Sequence, residues 1–267
     1  MDKKLKVIVC FKVVPRPEEV KVNKETNTLD RANVRNIINP PDMNALELAL
    51  MLKDKHDAEV TLVSMGPPFF EGYLRLAMSV GADKGYLLSD RAFGGADTLA
   101  TTYTLAEGIK KAGNYDIIIC GEESSDGATA QVPPGLAEWL DTSQVTYVTD
   151  LEYIEKDHKI KARREVKGGH EDLISALPAV LSVKPGINEL RFINFDRKEW
   201  SIKDAQVTVW NAKDIGADEA KIGWNGSPTT VAGVKQLATL ERKREKIKGD
   251  PKTIAKELAK KLKPSLQ

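Results

Sequence analysis

Asp116 to Leu140, DIIICGEESSDGATAQVPPGLAEWL, is the stretch whose reading decides the fold. Ile117-Ile118-Ile119-Cys120 is a short β-branched run of the kind buried on both faces of a sheet. A loop of small and polar residues follows, Gly121 to Thr129. Then Ala130-Gln131-Val132-Pro133-Pro134 opens a segment that sets Leu136, Ala137, Trp139 and Leu140 on one helical face. Proline suits a first helical turn, where its missing N–H would have no partner anyway. A strand, a small-residue loop and a helix start together form an anion site, because free backbone N–H groups and the positive dipole end face one point. Ser125, Asp126, Gly127, Ala128, Thr129, Ala130 and Gln131 read as a phosphate cradle. A plain βα turn has the same spacing.

Outward from this stretch the same grammar repeats. Leu5 to Phe11 is a first strand. Lys12 to Asn39 is a long polar crossing with two extended pieces, Val20-Lys21-Val22 and Asn33-Val34. Asn39-Pro40-Pro41-Asp42 starts a helix, with Asn39 as its cap, Pro40 in the first position and an acid in the first turn. Glu59 to Met65 is a strand, Tyr73 to Val80 a helix stopped by Gly81, Gly85 to Leu88 a strand and Asp97 to Ala112 a helix. Strands alternating with helices of this length indicate βαβ units. The expected fold class is α/β: a doubly wound, mostly parallel, Rossmann-like sheet. After about Asp141 the pattern changes. Val145–Val148, Leu151–Ile154, Lys159–Val166 and Leu173–Val183, broken at Pro178, predict an antiparallel ribbon that returns one strand to the main sheet. Lys184 to Gly226 reads as irregular and reaching toward a partner. Asp250-Pro251 caps a basic helix with Ile254, Leu258 and Leu262 on one face. The expected division is 1–226 as the α/β domain, with a recognition loop at about 184–205, and 227–267 as a C-terminal docking arm.

Composition narrows the function. The chain has 267 residues, 30% of them charged, and a net charge of +1. No strong field recruits nucleic acid or an anionic membrane. The opening MDKKLKVIVCF is too short and too soon followed by Lys12 to be a signal or a span. Cys10 and Cys120 sit in strand-like runs and read as inert buried thiols, which suits a reducing cytoplasm. His56, His158 and His170 are scattered, with no metal-ligand spacing. In an open parallel sheet the ligand lies beyond the carboxyl ends of the strands, at the switch point. The loops there include Lys12 onward, Met65-Gly66-Pro67, Gly94 to Thr98 and Gly121 to Thr129. The second Gly-rich piece also leads into a helix, so two helix N-termini face one region and a pyrophosphate-bearing nucleotide fits. There is no G-x-G-x-x-G after the first strand, no Walker loop and no G-x-S-x-G elbow. Glu122 and Glu123 beside the cradle read as solvated or ribose-bound rather than as acid–base groups.

Four motifs carry a resemblance to the beta subunit of electron transfer flavoproteins over nearly the whole chain. They are Asn39-Pro40-Pro41-Asp42 followed by Ala45-Leu46-Glu47; Asp126-Gly127-Ala128-Thr129-Ala130-Gln131-Val132; Arg164 to Glu171 followed by Leu177-Pro178-Ala179-Val180; and Asn188-Glu189-Leu190-Arg191. The resemblance implies a heterodimer with an alpha subunit that contributes most of one FAD site. It also implies an adenine nucleotide in this chain, either AMP or a second FAD. Carried over residue by residue, the nucleotide site comprises Cys10 (through its backbone), Asn39, Pro40, Pro41, Asp42, Met65, Glu122, Ser125, Asp126, Gly127, Ala128, Thr129, Ala130, Gln131 and Val132. Asp90 to Thr101, DRAFGGADTLAT, together with Asp42 and Gly226-Ser227-Pro228-Thr229, is similar to members that bifurcate electrons, and Thr98 adds an anchor for the larger ligand. Implied for this type is a second FAD reduced by NADH, whose electrons part to a high- and a low-potential acceptor. The chain is then an electron carrier, catalytic only within an NADH-oxidising complex, and Arg164 is a candidate cation near a flavin. The implied redox partner is a dehydrogenase or iron–sulfur- or quinone-linked subunits; location is cytoplasmic, with membrane association only through such partners. Phe192 to Ile202 departs from the family's Pro-containing basic segment, and Phe192, Phe195 and Trp200 are the expected contact surface for a different partner. A plain carrier with structural AMP stands as the first alternative, and a homodimeric nucleotide-binding sensor as the second. An ATP-cleaving ligase would need a pyrophosphate loop that Lys12-Val13-Val14-Pro15 does not supply.

Overall fold

The computed structural model describes residues 4–16, 21–23, 28–30, 34–230 and 244–263. Val20 and Asn33, from the two expected extended pieces, lie outside the described residues. The chain divides into two units, Met1–Gly233 and Val234–Gln267.

In the first unit the strands and helices alternate as β1 (Lys6–Cys10), β2 (Val13–Pro15), β3 (Lys21–Asn23), β4 (Thr28–Asp30), β5 (Asn36–Ile38), α1 (Pro40–His56), β6 (Glu59–Met65), α2 (Glu71–Val80), β7 (Lys84–Leu88), α3 (Thr98–Ala112), β8 (Ile117–Gly121) and α4 (Val132–Trp139). Five strands and a further helix follow: β9 (Ser143–Ile154), β10 (Lys159–Val166), β11 (Gly169–Ala176), β12 (Ala179–Val183), α5 (Phe195–Lys203) and β13 (Val207–Trp210). The main sheet runs β11-β10-β9-β12-β8-β1-β6-β7-β13. β9, β12, β8, β1, β6, β7 and β13 are parallel to their neighbours in this series. β10 and β11 extend β9 as the antiparallel ribbon, and β12 returns between β9 and β8.

This order sets the layers. β1, β6 and β7 step in one direction, which with right-handed crossovers puts α1 and α2 on one face. The chain then crosses back to β8, on the other side of β1, so the same handedness places α3 and α4 on the opposite face. Successive residues of β1 feed both cores. Val7 and Val9 pack with Leu46, Ala49, Leu74 and Met78, and Ile8 and Cys10 with Tyr103, Ala106, Ile109 and Leu136. A strand buried on both faces needs its continuous apolar run.

Two expectations change. The stretch from Lys184 onward is not irregular throughout: it contains α5 and β13. Asn194 caps α5 by accepting from the Arg197 N–H at 3.1 Å, and Val207 to Trp210 pairs in parallel with Gly85 to Leu88. Arg75 of α2 donates to the carbonyls of Ser201 (2.8 Å) and Ala205 (3.0 Å). The Arg197 guanidinium donates to the carbonyls of Met78 and Ala82 and lies 4.2 Å from the Trp200 ring centroid. Trp200 therefore packs on this chain's own core, while Phe192 and Phe195 stay 96% and 86% exposed. Upstream, Arg191 grips Glu47 at 2.9 Å and Asp54 at 2.8 Å, and Asn188 donates to the Asn44 carbonyl at 3.0 Å. The segment is thus strapped across α1 and α2.

In the second unit α6 (Pro251–Leu262) is capped by Asp250, which accepts from the N–H groups of Lys252 and Thr253. Lys261 pairs with Glu245. Among the described residues no helix is long and apolar enough to cross a membrane.

Arg197→Ala removes the carbonyl contacts and the ring contact together. It is expected to cost about 1–2 kcal/mol and to speed proteolytic cleavage between Asn194 and Ala205, read by denaturant melts and timed digestion.

Candidate nucleotide-binding site

The strand order reverses between β1 and β8, and there the loops leaving the two carboxyl ends diverge. Such a point opens a crevice beyond the strands. The first turn of α1 fills its floor. Pro40 and Pro41 occupy the first helical positions, where no N–H is needed. Asp42, 6% exposed, reaches both loops at once: one carboxylate oxygen accepts from the Lys12 N–H at 2.8 Å and the other from the Gly121 N–H at 3.0 Å. Gly121 is required by this approach. A Cβ there would stand 2.3 Å from Asp42 Oδ1 and 2.7 Å from Pro41 Cβ.

Asn39 does not cap α1 with its side chain. The carboxamide is turned across to the other loop, donating to the Glu123 carbonyl at 2.9 Å and accepting from the Ser125 N–H at 3.0 Å. Its own N–H donates to the Lys12 carbonyl at 2.8 Å. A cap competes with any nearby backbone group for the same short side chain, and here the tertiary partners win. Asn39 and Asp42 hold the crevice from beneath.

The loop above them is built from tight turns. Gly127 and Ala128 donate to the Ser124 carbonyl at 3.2 and 2.7 Å. Ala128 and Ala130 adopt left-handed backbone, φ 47° and 53°, and Gln131 returns to the right-handed region. Alternation of this kind points successive N–H groups to one side and makes an anion-binding nest. Among the described residues, the N–H groups of Thr129, Ala130, Gln131 and Val132 meet no protein acceptor. Ser125 to Thr129 are exposed. The residues read as a cradle are therefore brought together, with their backbone donors outward.

Lys12 was missing from the expected site. Its ammonium lies 2.7 Å from Asp126 Oδ1 and 3.5 Å from Ser124 Oγ. Partial burial raises the Asp126 carboxyl, but the Lys12 hydrogen bond and charge, with Ser124, hold it below the ordinary value. The signal was its place, the second residue after β1 at the switch point. Cys10 and Cys120 are both buried, their thiols together in the core, and that neighbour and burial push the Cys120 thiol well up. Met65 ends β6, half-buried on the same side. Glu122 is held 3.2 Å from Lys184, which also lies 3.5 Å from Glu165. Arg164 sits at a bulge in the β9–β10 ladder, its Nε 3.7 Å from Glu171.

At the other end of the edge, the Thr98 hydroxyl donates to the Gln131 side chain at 2.9 Å. The starts of α3 and α4 are thereby joined. They differ in character. Asp97 caps α3, accepting from the Leu99 and Ala100 N–H groups at 2.9 and 3.1 Å, so those donors are taken. Gly226 to Thr229 folds onto the same carboxylate: Thr229 donates to it through N–H (3.1 Å) and hydroxyl (2.7 Å), and the Asp97 N–H donates to Ser227 Oγ at 2.8 Å.

Gly121→Ala forces the Asp42 clasp apart. It is expected to lose about 1–3 kcal/mol of stability and most nucleotide retention, measured by thermal melts and by nucleotide released on denaturation. Asp42 itself carries a pH signature. Burial pushes its carboxyl up from 3.8 to about 7, against the opposing bonds from Lys12, Asn39 and Gly121. Because the folded value is the higher, its stabilising contribution is complete below the unfolded pKa and is lost as pH rises through the folded one. Asp42→Asn, which cannot ionise, is expected to flatten the stability profile between about pH 4 and 7, while lowering absolute stability because an amide accepts only one of the two N–H groups well. Denaturation across that pH series checks it.

Comparison with known proteins agrees with this architecture. Residues 26–215 match the electron transfer flavoprotein domain. The chain is 43% identical over 252 residues to an electron transfer flavoprotein subunit beta of Clostridium acetobutylicum, covering 94% of this chain and 93% of that one. It is 42% identical over 231 residues to the caffeyl-CoA reductase-Etf complex subunit CarD of Acetobacterium woodii, covering 85% and 86%. It is 41% identical over 240 residues to Protein FixA of Azorhizobium caulinodans, covering 85% and 83%. With the reversal at β1 and β8 and the cradle above it, these likenesses make the chain a member of the electron transfer flavoprotein family, among its beta subunits.

Proposed function

We propose that this chain pairs with an alpha subunit and holds a second FAD at the β1–β8 crevice, within a complex that oxidises NADH and bifurcates its electrons. One observation carries the choice of FAD over AMP. The Thr98–Gln131 bond and the fold of Gly226 to Thr229 onto Asp97 extend the cradle from the β8 loop to the carboxyl end of β7. A mononucleotide needs only the first part.

The residues fit the group. The unpartnered N–H groups from Thr129 to Val132, with Lys12 beside them, suit a pyrophosphate. Beyond Thr98 the edge offers neutral polar anchors and a capped helix, which suit an uncharged ring system and its polyol chain. When bound, the flavin supplies the redox chemistry, taking electrons from NADH and releasing them to two acceptors. The chain's own part is to hold the phosphates, orient the ring and keep the clasp closed beneath it. No side chain here is required as an acid or base; Glu122 is tied to Lys184.

The strap supplies the docking surface for the redox partner. Phe192 and Phe195 project into solvent, with Leu190, Ile193 and Ile202 also exposed. Aromatic anchors of this kind dominate interface energy. The arm carrying α6 docks on the alpha subunit through Ile254, Leu258 and Leu262.

The test is a nucleotide count on the chain co-purified with its alpha subunit. Two FAD and no AMP per heterodimer, followed by bleaching of both flavins on anaerobic NADH titration, is the expected result. One FAD and one AMP would leave a simple carrier and remove the bifurcating reading.

A further inference from the structure

The turn at Ile222 to Ser227 holds one indole in an unusual way. Ile222 is buried and anchors the turn. Gly226 N–H donates to the Ile222 carbonyl at 2.9 Å, Ser227 N–H to the Trp224 carbonyl at 3.3 Å, and Ser227 Oγ to the Gly223 carbonyl at 2.7 Å. Gly223 sits at φ 50°, and a Cβ there would meet the Ala92 carbonyl oxygen at 2.0 Å. The backbone on both sides of Trp224 is thus pinned.

The Trp224 ring lies on Gly95. A Cβ at Gly95 would stand 2.1, 2.3 and 2.4 Å from ring atoms Cε2, Nε1 and Cδ2, so one ring face covers the glycine backbone. Even so, the residue is 66% exposed, whereas Trp139, Trp200 and Trp210 are half-buried. One face is seated and the other is open. Gly95 precedes Thr98 by three residues, at most about 10 Å of chain, and Thr98 is bonded to Gln131 of the cradle.

We propose that Trp224 is a stacking platform for a planar heteroaromatic ring of a dinucleotide bound along this edge. The proposal rests on the FAD reading above. The occupant follows from the surroundings. The indole sits on Gly95, two and three residues before Asp97 and Thr98, and the same carboxylate draws in Thr229; a flat ring next to a polar segment recognises a base or nicotinamide-like ring rather than a broad apolar protein surface. Two sources share that chemistry: the resident flavin and the incoming NADH.

The experiment uses the heterodimer as wild type, Trp224→Ala, Trp224→Phe and Trp224→Leu. Leucine still covers Gly95 but has no π face. The readouts are the NADH concentration for half-maximal flavin reduction and the rate of FAD loss on dialysis. Loss of the platform is expected to change one of them about tenfold in the Ala and Leu variants, with Phe restoring most of it. A shift in NADH dependence alone assigns the ring to the pyridine dinucleotide; faster FAD loss assigns it to the flavin. Two FAD in every variant with both readouts unchanged would overturn the platform and leave the FAD reading intact. AMP in place of a second FAD in the wild type would overturn both.

Discussion

One buried carboxylate holds the site together. Asp42 reaches from the first turn of α1 to the N–H groups of Lys12, just beyond β1, and of Gly121, which ends β8, where the loops leaving two neighbouring strands part in opposite directions. The Gly121 donor would otherwise be buried without an acceptor, which costs about 1–3 kcal/mol. The same carboxylate is itself costly to ionise in that position, since burial raises it to about 7. Clasp and penalty come from one placement. The geometry demands a glycine at 121, because only a bare backbone allows so close an approach, and the prolines at the helix start stand where no N–H is needed.

From that constraint the division of labour in the crevice follows. Asn39 and Asp42 carry the polar side chains expected to touch a ligand, yet both face backbone partners. Their satisfied atoms fix the loop, and the loop's own N–H groups are left for an anion. Left-handed backbone at Ala128 and Ala130 is unfavourable for residues with a Cβ. It is maintained because Asn39 and Ser124 pin the turn at one end and α4 at the other.

How much of this was legible in the sequence depended on range. Strand, small-residue loop and helix start from Ile117 to Leu140 are local patterns, and they formed where they were read. So did the antiparallel ribbon and the returning strand. α5 and β13 were not read. α5 is short and mostly polar, and it is held by Arg75 and Arg197 reaching carbonyls more than a hundred residues away; periodicity carries no trace of such bonds. Val207 to Trp210 is four residues long and finds its partner only in β7. The error at Asn39 had the same origin. Local rules made it a cap, and a loop 84 residues distant took its amide instead. The Lys12 loop was placed at the switch point, but what its ammonium does there depends on Asp126, more than a hundred residues distant, folding beside it.

The carboxyl edge of the sheet is electrically uneven, and this bears on what it holds. On the β8 side the helix start is uncapped by any side chain and its neighbouring N–H groups face outward. On the β7 side Asp97 caps α3, and the bonds to Thr229 and to the first-turn N–H groups outweigh its partial burial and keep it ionised below the usual range. A phosphate at that end would face a carboxylate rather than free donors. A ligand spanning both ends is therefore best anionic toward β8 and neutral toward β7. A mononucleotide would use half of such an edge; an extended nucleotide whose pyrophosphate lies toward β8 and one of whose rings reaches toward β7 would use all of it.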